Sequence, residues 1–454
     1  MDAKSLRSLK PELETFLARY LPLFGRNENH AHVRAILQGL LAGGDRRNVE
    51  NMAEAIDGGV VRTLQKFIAQ SAWGDEAVLG ELRQHVAEVL GEEDAVLIVD
   101  ETGFPKKGTK SVGVARQYSG ILGRIDNCQI GVFLSYRSTK GHTLFDRRLF
   151  LPQVWANDRP RCAAAGVPAD VIFRTKPELA AAMIEQAIRD GAPFRWVTGD
   201  SVYGISPLFL QTLRLLEKWY VVDITSEVRA WSSAPEMRPV GRTTMRGGRP
   251  TQNEKPLTKP RPVDELAAEL PATAWKRVQV AEGSQGPRLY EYAELTVWFS
   301  EESLPTDQPE RLLVRRSLDQ SSEVKYQRSN APESIPKKRL AEVAGCRWSV
   351  EQDFQCGKGE CGLDEYETRG WTGWHHHTAL SMLALWFLTL QRVRLGEKTS
   401  PVERSRGPRG AGASPGSARV GRTRNPALEP VAAGTKPHRA GLPRTKAHRA
   451  TATK

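Results

Sequence analysis

No apolar run in this chain approaches the roughly 18 residues that a membrane-spanning helix requires. The start, Met1-Asp2-Ala3-Lys4-Ser5-Leu6, has no apolar core of the kind a secretory leader needs. Cysteine is scarce: Cys128, Cys162, Cys346, Cys356 and Cys361 are an odd, scattered set. That argues against a disulfide framework and for a reducing cytoplasm. No Gly-x4-Gly-Lys-Ser/Thr occurs, and Gly103 and Gly108 do not make a phosphate loop. With 40% hydrophobic and 26% charged residues, the 454-residue chain suits a globular protein of two or three domains.

Negative charge is also in short supply, but unevenly. The net charge of +12 suggests a polyanionic partner. Residues 396–454 contain 13 Lys and Arg against 3 Asp and Glu, a net +10, which leaves +2 for residues 1–395. Affinity of the folded part for a nucleic acid must therefore come from local groups such as Lys106, Lys107 and Lys110. The tail is rich in Arg, Pro, Gly, Ala and Ser and has almost no large apolar residues. It cannot bury enough surface to offset the cost of ordering and is expected to be disordered.

Periodicity divides the rest. Residues 5–20, 29–41, 47–56, 60–70 and 75–90 repeat apolar positions at three-to-four spacing and predict helices, with Asp75 and Glu76 as N-terminal signals. This expected helical N-terminal domain, 1–90, serves either packing and dimerisation or recognition of a DNA end by a helix in a groove. Residues 91–225 alternate. Strands are expected at 95–99, 111–118, 129–136, 196–198 and 219–224, with a turn at Gly120 and Gly123. Helices are expected at 179–189 and 208–216. The pattern is that of an α/β sheet. Residues 226–335 turn rich in Pro, Thr, Arg and Gly, with strands expected at 277–280, 295–299 and 311–315. They read as a β-rich insertion with an exposed loop around Met245-Arg246-Gly247-Gly248-Arg249-Pro250. Residues 336–395 return to helix and end in the strongly apolar stretch 378–395, a buried core helix.

Three carboxylates stand out. Asp100 ends the apolar run Ala95-Val96-Leu97-Ile98-Val99. Asp200 ends the run Phe194-Arg195-Trp196-Val197-Thr198-Gly199. A carboxylate leaving a buried strand faces the crevice beyond the strand ends. Glu351 lies on a predicted helix with Arg347, Phe354 and Lys358, spaced so that all four share one face. Three such carboxylates can hold two Mg²⁺ ions about 3.5–4 Å apart for in-line phosphoryl displacement, with Arg347 and Lys358 neutralising phosphate oxygens. Arg347 and Glu351 also have the spacing of an ordinary helical ion pair.

The blocks around these residues narrow the reading. Arg347-(3)-Glu351-(6)-Lys358 resembles the Tyr-(2)-Arg-(3)-Glu-(6)-Lys signature of IS4-like DDE transposases, with Ala344 where that signature has Tyr. Val99-Asp100-Glu101-Thr102-Gly103-Phe104-Pro105-Lys106-Lys107-Gly108 resembles the first catalytic block of the IS701 family. So do Ser111-Val112-Gly113-Val114-Ala115-Arg116-Gln117-Tyr118-Ser119-Gly120 and Asp126-Asn127-Cys128-Gln129-Ile130-Gly131-Val132-Phe133. Asp200-Ser201-Val202-Tyr203-Gly204 resembles the second block. The Glu351 segment, with Gly362-Leu363-Asp364-Glu365-Tyr366 and Arg369-Gly370-Trp371-Thr372-Gly373-Trp374, resembles the third. The resemblance runs from about residue 10 to 395.

It implies an RNase H-like catalytic domain, 91–225 and 336–395, interrupted by the β-rich insertion. Asp100, Asp200 and Glu351 align with the family's catalytic and metal-binding triad, loaded with two Mg²⁺ or Mn²⁺ ions. Asp100 is selected over Glu101, which points to the other face of a strand and orients a neighbour or caps the turn. Arg347, Lys358, Lys106 and Lys107 are candidates for DNA contact. The implied activity is that of an insertion-sequence transposase. It acts on double-stranded DNA (terminal inverted repeats and target) as a homodimer in the synaptic complex, cytoplasmic and nucleoid-associated when bound. The alternatives are a decayed or domesticated DNA-binding protein and an RNase H-like nuclease without strand transfer.

Weaker signals are expected to be structural. Asp146 and Asp158 read as loop residues. Cys356, Cys361 and His375-His376-His377 lack the second regular ligand pair of a zinc site. Trp371 and Trp374 could stack on an unpaired base, but they adjoin the apolar helix and read first as core.

Overall fold

The computed structural model describes residues 3–43, 46–54, 60–120, 123–238, 254–283, 286–318 and 323–395. The tail from Gly396, the predicted loop around Met245 to Pro250, and the end of the third predicted helix lie outside them, as does part of the turn between Gly120 and Gly123.

Five helices open the chain: α1 (Ala3–Tyr20), α2 (Asn27–Leu41), α3 (Val49–Glu54), α4 (Val61–Gln70) and α5 (Asp75–Leu90). Each buries the stripe its periodicity marks. In α4, Leu64, Phe67 and Ile68 are buried while Arg62, Gln65 and Lys66 face solvent, the spacing of a one-sided apolar helix. Their buried side chains join those of the later strands and helices in a single apolar core, so the first 90 residues pack onto the sheet rather than around a core of their own.

Next come β1 (Val96–Pro105), β2 (Ala115–Ser119), β3 (Arg124–Arg137) and β4 (His142–Phe150). The expected strand over 111–118 begins only at Ala115. Before it, Gly113 takes φ +72°, a conformation that favours glycine, in a turn closed by the Val114 amide donating to the Ser111 carbonyl at 3.1 Å. Helices α6 (Gln153–Ala156), α7 (Arg159–Ala164) and α8 (Lys176–Arg189) follow, α8 opened by a capping box between Thr175 and Glu178. Then come β5 (Trp196–Gly199), α9 (Ser201–Gly204), α10 (Pro207–Leu215) and β6 (Trp219–Ile224).

Strand β1 runs antiparallel to β3, which pairs antiparallel with β4. On its other side β1 is parallel to β5, and β5 to β6. The central order is thus β4-β3-β1-β5-β6. Val96, Leu97, Ile98 and Val99 are all buried, as continuous apolar runs in the middle of such a sheet demand.

β4 was not expected, and with it Asp146, read from sequence as a loop residue, is corrected to a fully buried strand position. Its charge is tolerated because Arg83 lies 3.3 Å and Arg148 2.9 Å away. Asp158 does sit in a connection, where it caps α7 by accepting from the Arg161 amide.

The segment expected as an insertion contributes β7 (Arg229–Trp231), β8 (Met237–Arg238), β9 (Lys255–Pro256), β10 (Arg261–Pro262), α11 (Val263–Ala268), β11 (Lys276–Gly283), β12 (Gly286–Glu301), β13 (Leu304–Pro305), β14 (Glu310–Ser317) and β15 (Val324–Ser329). It encloses a small core of its own around Ala230, Val263, Leu266, Val297 and Phe299. Among the described residues its only separate sheet is the two-stranded β8-β9 pair. β15 pairs antiparallel with β6, β14 with β15 and β12 with β14, extending the central sheet to 13 strands.

The chain closes with α12 (Lys337–Gly345), α13 (Trp348–Cys361) and α14 (Trp371–Arg394). α14 starts seven residues before the predicted stretch. It is buried on nearly every side, packed against α2, α4, α5, α13 and β4. No described helix is long and apolar enough to cross a membrane.

Candidate active site

Three parallel strands carry carboxylates to one level of the sheet. Val99 is in register with Gly199, and Gly199 with Val222. The residues that follow, Asp100, Asp200 and Asp223, therefore form a row across β1, the end of β5 and β6. Side chains in register on neighbouring strands share a face. Asp200 also caps α9, accepting from the Val202 amide at 2.9 Å. Asp100 accepts from the amide of Glu101 at 2.8 Å, and Asp223 from Gln327 Nε2 at 2.9 Å.

α13 brings the third predicted carboxylate to this row. Arg347, just before the helix, reaches Asp100 Oδ2 at 3.4 Å, Asp223 Oδ2 at 3.7 Å and Glu351 Oε1 at 3.2 Å. The ordinary i,i+4 pair is therefore present, and the same guanidinium ties Glu351 to the strand carboxylates. The helix is anchored from behind: Asp353 accepts from Ser135 at 2.5 Å and meets His142 Nδ1 at 2.7 Å, all three buried. Farther along α13, Lys358 Nζ donates to Thr102 Oγ1 at 2.9 Å and to the Gly103 carbonyl at 3.3 Å. The face predicted from spacing thus lies along β1.

Electrostatics mark this region as strained. Burial pushes the Asp100 carboxyl up to about 7, with Asp200 adding to the rise and Arg347 opposing it. Asp200 is raised as well, by burial and then by Glu101. Arg347 is raised because the charges of Asp100, Asp223 and Glu351 outweigh its burial. Burial lowers both Lys358 and Lys106 to about 8. Perturbed groups gathered on one face are a recognised mark of a functional site.

The remaining sequence candidates divide. Glu101 turns away from the row and binds Lys176 at 2.5 Å and the Tyr203 hydroxyl at 2.8 Å. Lys106 folds inward, its ammonium 3.6 Å from the centre of the Tyr366 ring, while Lys107 is exposed. The three histidines are engaged with backbone: His375 Nδ1 with the Trp371 carbonyl, both ring nitrogens of His376 with Ile68 and Trp73, and His377 Nε2 with Gly362. Trp374 is fully buried in the core. Asp223 escaped sequence reasoning, although its signal was there: Tyr220-Val221-Val222-Asp223 repeats the apolar-run-then-Asp pattern of the other two strands.

The family model described as DDE superfamily endonuclease matches residues 19–287. The chain belongs to the DDE superfamily endonucleases. The matched stretch contains Asp100, Asp200 and Asp223 and stops before Glu351. A further similarity is to the "Probable transposase for insertion sequence element IS701" of Microchaete diplosiphon, 32% identical over 182 residues. That alignment covers 40% of this chain and 45% of the relative, so less than half of the relative is matched. Among solved structures, the NurA nuclease from Sulfolobus solfataricus aligns over 72% of this chain and 94% of its own. Its 10% identity and TM-score of 0.24 are too low to indicate a common fold.

DDE endonucleases typically use divalent metal ions. The donor set suits such an ion: carboxylates are hard oxygen ligands, and a guanidinium already lies among three of them. Among the described residues no three Asp, Glu, His or Cys side chains stand close enough to ligate one ion together.

Proposed function

We propose that this endonuclease is the transposase of an insertion sequence. It cuts double-stranded DNA at the element's ends and joins the freed 3′-hydroxyl to target DNA. The observation that carries the reading is the Asp100–Asp200 neighbour pair on parallel strands, with Glu351 linked to it through Arg347. The strand order β4-β3-β1-β5-β6, antiparallel then parallel, supports an RNase H-like catalytic domain, and the similarity to a probable IS701 transposase supports strand transfer over simple hydrolysis.

Asp100, Asp200 and Glu351 would hold the divalent ions. Bound there, two Mg²⁺ or Mn²⁺ ions would supply Lewis-acid activation of the attacking oxygen and charge stabilisation for the leaving one. The chain's own groups do the rest. Burial of Asp100 and Asp200 keeps water from screening them, which strengthens their attraction for a cation. Arg347 and Lys358 flank Glu351 along α13 and neutralise phosphate oxygens on either side of the cut. Lys107, exposed in the connection after β1, engages the backbone farther out. Two copies, one per DNA end, are required to bring the ends together.

The experiment is cleavage and strand transfer on oligonucleotides carrying the repeats that flank the gene. Asp100→Asn, Asp200→Asn and Glu351→Gln should each abolish both steps while DNA binding persists. Wild-type cleavage by any of the three removes that residue from the triad. Cleavage by the wild-type protein with no joined product would reduce the function to that of a nuclease.

A further inference from the structure

The fourth carboxylate of the row has no part in the triad. We infer that Asp223 is a positioning residue for Arg347, keeping the guanidinium when cations take Asp100 and Glu351 from it; this rests on the metal-dependent reading above. Arg347 is shared by three carboxylates at 3.4, 3.7 and 3.2 Å. Two of them, Asp100 and Glu351, are proposed metal ligands. A cation arriving there competes with Arg347 for the same oxygens, because two positive charges in one half-buried place repel strongly.

Asp223 is built to receive the displaced charge. Gln327 Nε2 fixes its Oδ1 at 2.9 Å from the neighbouring strand β15, leaving Oδ2 for Arg347. Asp223, Arg347 and Glu351 together line a cleft of about 280 Å³ that Arg288, Arg315 and Lys325 also line, along with Glu323 and Glu342. An arginine held by Asp223 alone still borders this cleft, beside Arg288 and Arg315, where a phosphate can reach it. Arg347 is thus an internal cation before metal arrives and a phosphate ligand afterwards. The two roles are linked: DNA that draws on Arg347 frees Asp100 and Glu351, so DNA and cation each tighten the other's binding by the same factor.

The test reads Mn²⁺ binding to the full, DNA-free chain by titration calorimetry, independent of catalysis. Arg347→Gln should raise Mn²⁺ affinity by roughly tenfold or more, since the competing charge is gone. Asp223→Asn should lower it several-fold, because Arg347 then leans wholly on the metal-binding pair. In the Arg347→Gln background Asp223→Asn should change nothing. Arg347→Lys, a milder substitution, should fall between wild type and Arg347→Gln. An equal loss from Asp223→Asn in both backgrounds overturns the inference and makes Asp223 a direct ligand. Unchanged affinity in Arg347→Gln overturns it too. Asp100→Asn is the control for the parent reading: Mn²⁺ binding that survives it at full strength sinks that reading and this one together, whereas its loss leaves only the Arg347 outcomes to decide.

Discussion

Asp100→Asn should stabilise the metal-free protein above neutral pH. Folding carries the Asp100 carboxyl from its ordinary 3.8 to about 7. The folded state therefore binds this proton more tightly than the unfolded one. The stability it contributes is complete below pH 3.8, fades as pH rises, and is gone above about 7. A rise of that size corresponds to about 4 kcal/mol lost by pH 8. Asparagine keeps an oxygen for the Glu101 amide and removes the charge, at the cost of the 3.4 Å contact with Arg347. A net gain of about 2–4 kcal/mol at pH 8 and near zero at pH 4 follows. For a protein of this size that is a rise of roughly 2–5 °C in melting temperature. Calorimetric melts in EDTA at the two pH values measure it. Mg²⁺ should close the gap at pH 8 by stabilising the wild type alone. A variant no more stable than wild type at pH 8 would refute the reasoning, because Asp100 would then not be under electrostatic strain.

Two further outcomes test other parts of the molecule. Arg147, fully buried in β4, binds Asp75 at 2.5 Å, Thr378 Oγ1 at 3.0 Å and the His375 carbonyl at 3.1 Å; Arg147→Met should cost about 3 kcal/mol in urea unfolding, and a loss below about 1 kcal/mol would mean that the partners are satisfied by water instead. Lys358, lowered to about 8 by burial, loses its charge as pH rises through that value, so affinity for an element end at low salt should fall between pH 7 and 9 in wild type but not in Lys358→Arg; matching pH profiles in a fluorescence-anisotropy titration would remove Lys358 from the DNA contact.

Much of the fold was written locally. β1, β5 and β6 are apolar runs that can sit nowhere but inside a sheet, and the first five helices declare their buried stripes by spacing. β4 was hidden because His142, Asp146, Arg147 and Arg148 make it read as polar. The partners that make its charges tolerable, Asp75 and Arg83, lie over 60 residues earlier, and no local pattern reports them. The pairing of β15 with β6 is hidden for the same reason: their hydrogen bonds join residues about a hundred positions apart. At the site, sequence spacing set Arg347, Glu351 and Lys358 on the helix face that meets β1. It could not place Arg347 among the strand carboxylates, nor align Asp223 with Asp100 and Asp200, because both depend on strand register. Lys106 shows the converse: a loop lysine that looked free is turned onto Tyr366 by the packing of a segment 260 residues away.

The position of α14 bears on when the protein becomes competent. Chains emerge from the ribosome N-terminus first. The early helices α2, α4 and α5 pack against a helix translated long after them, and β6 stays an open edge until β15 is made. Glu351 arrives in the same late stretch. A nascent or prematurely stopped chain therefore lacks the helix that closes its core and lacks Glu351, and it presents an unpaired strand that invites aggregation.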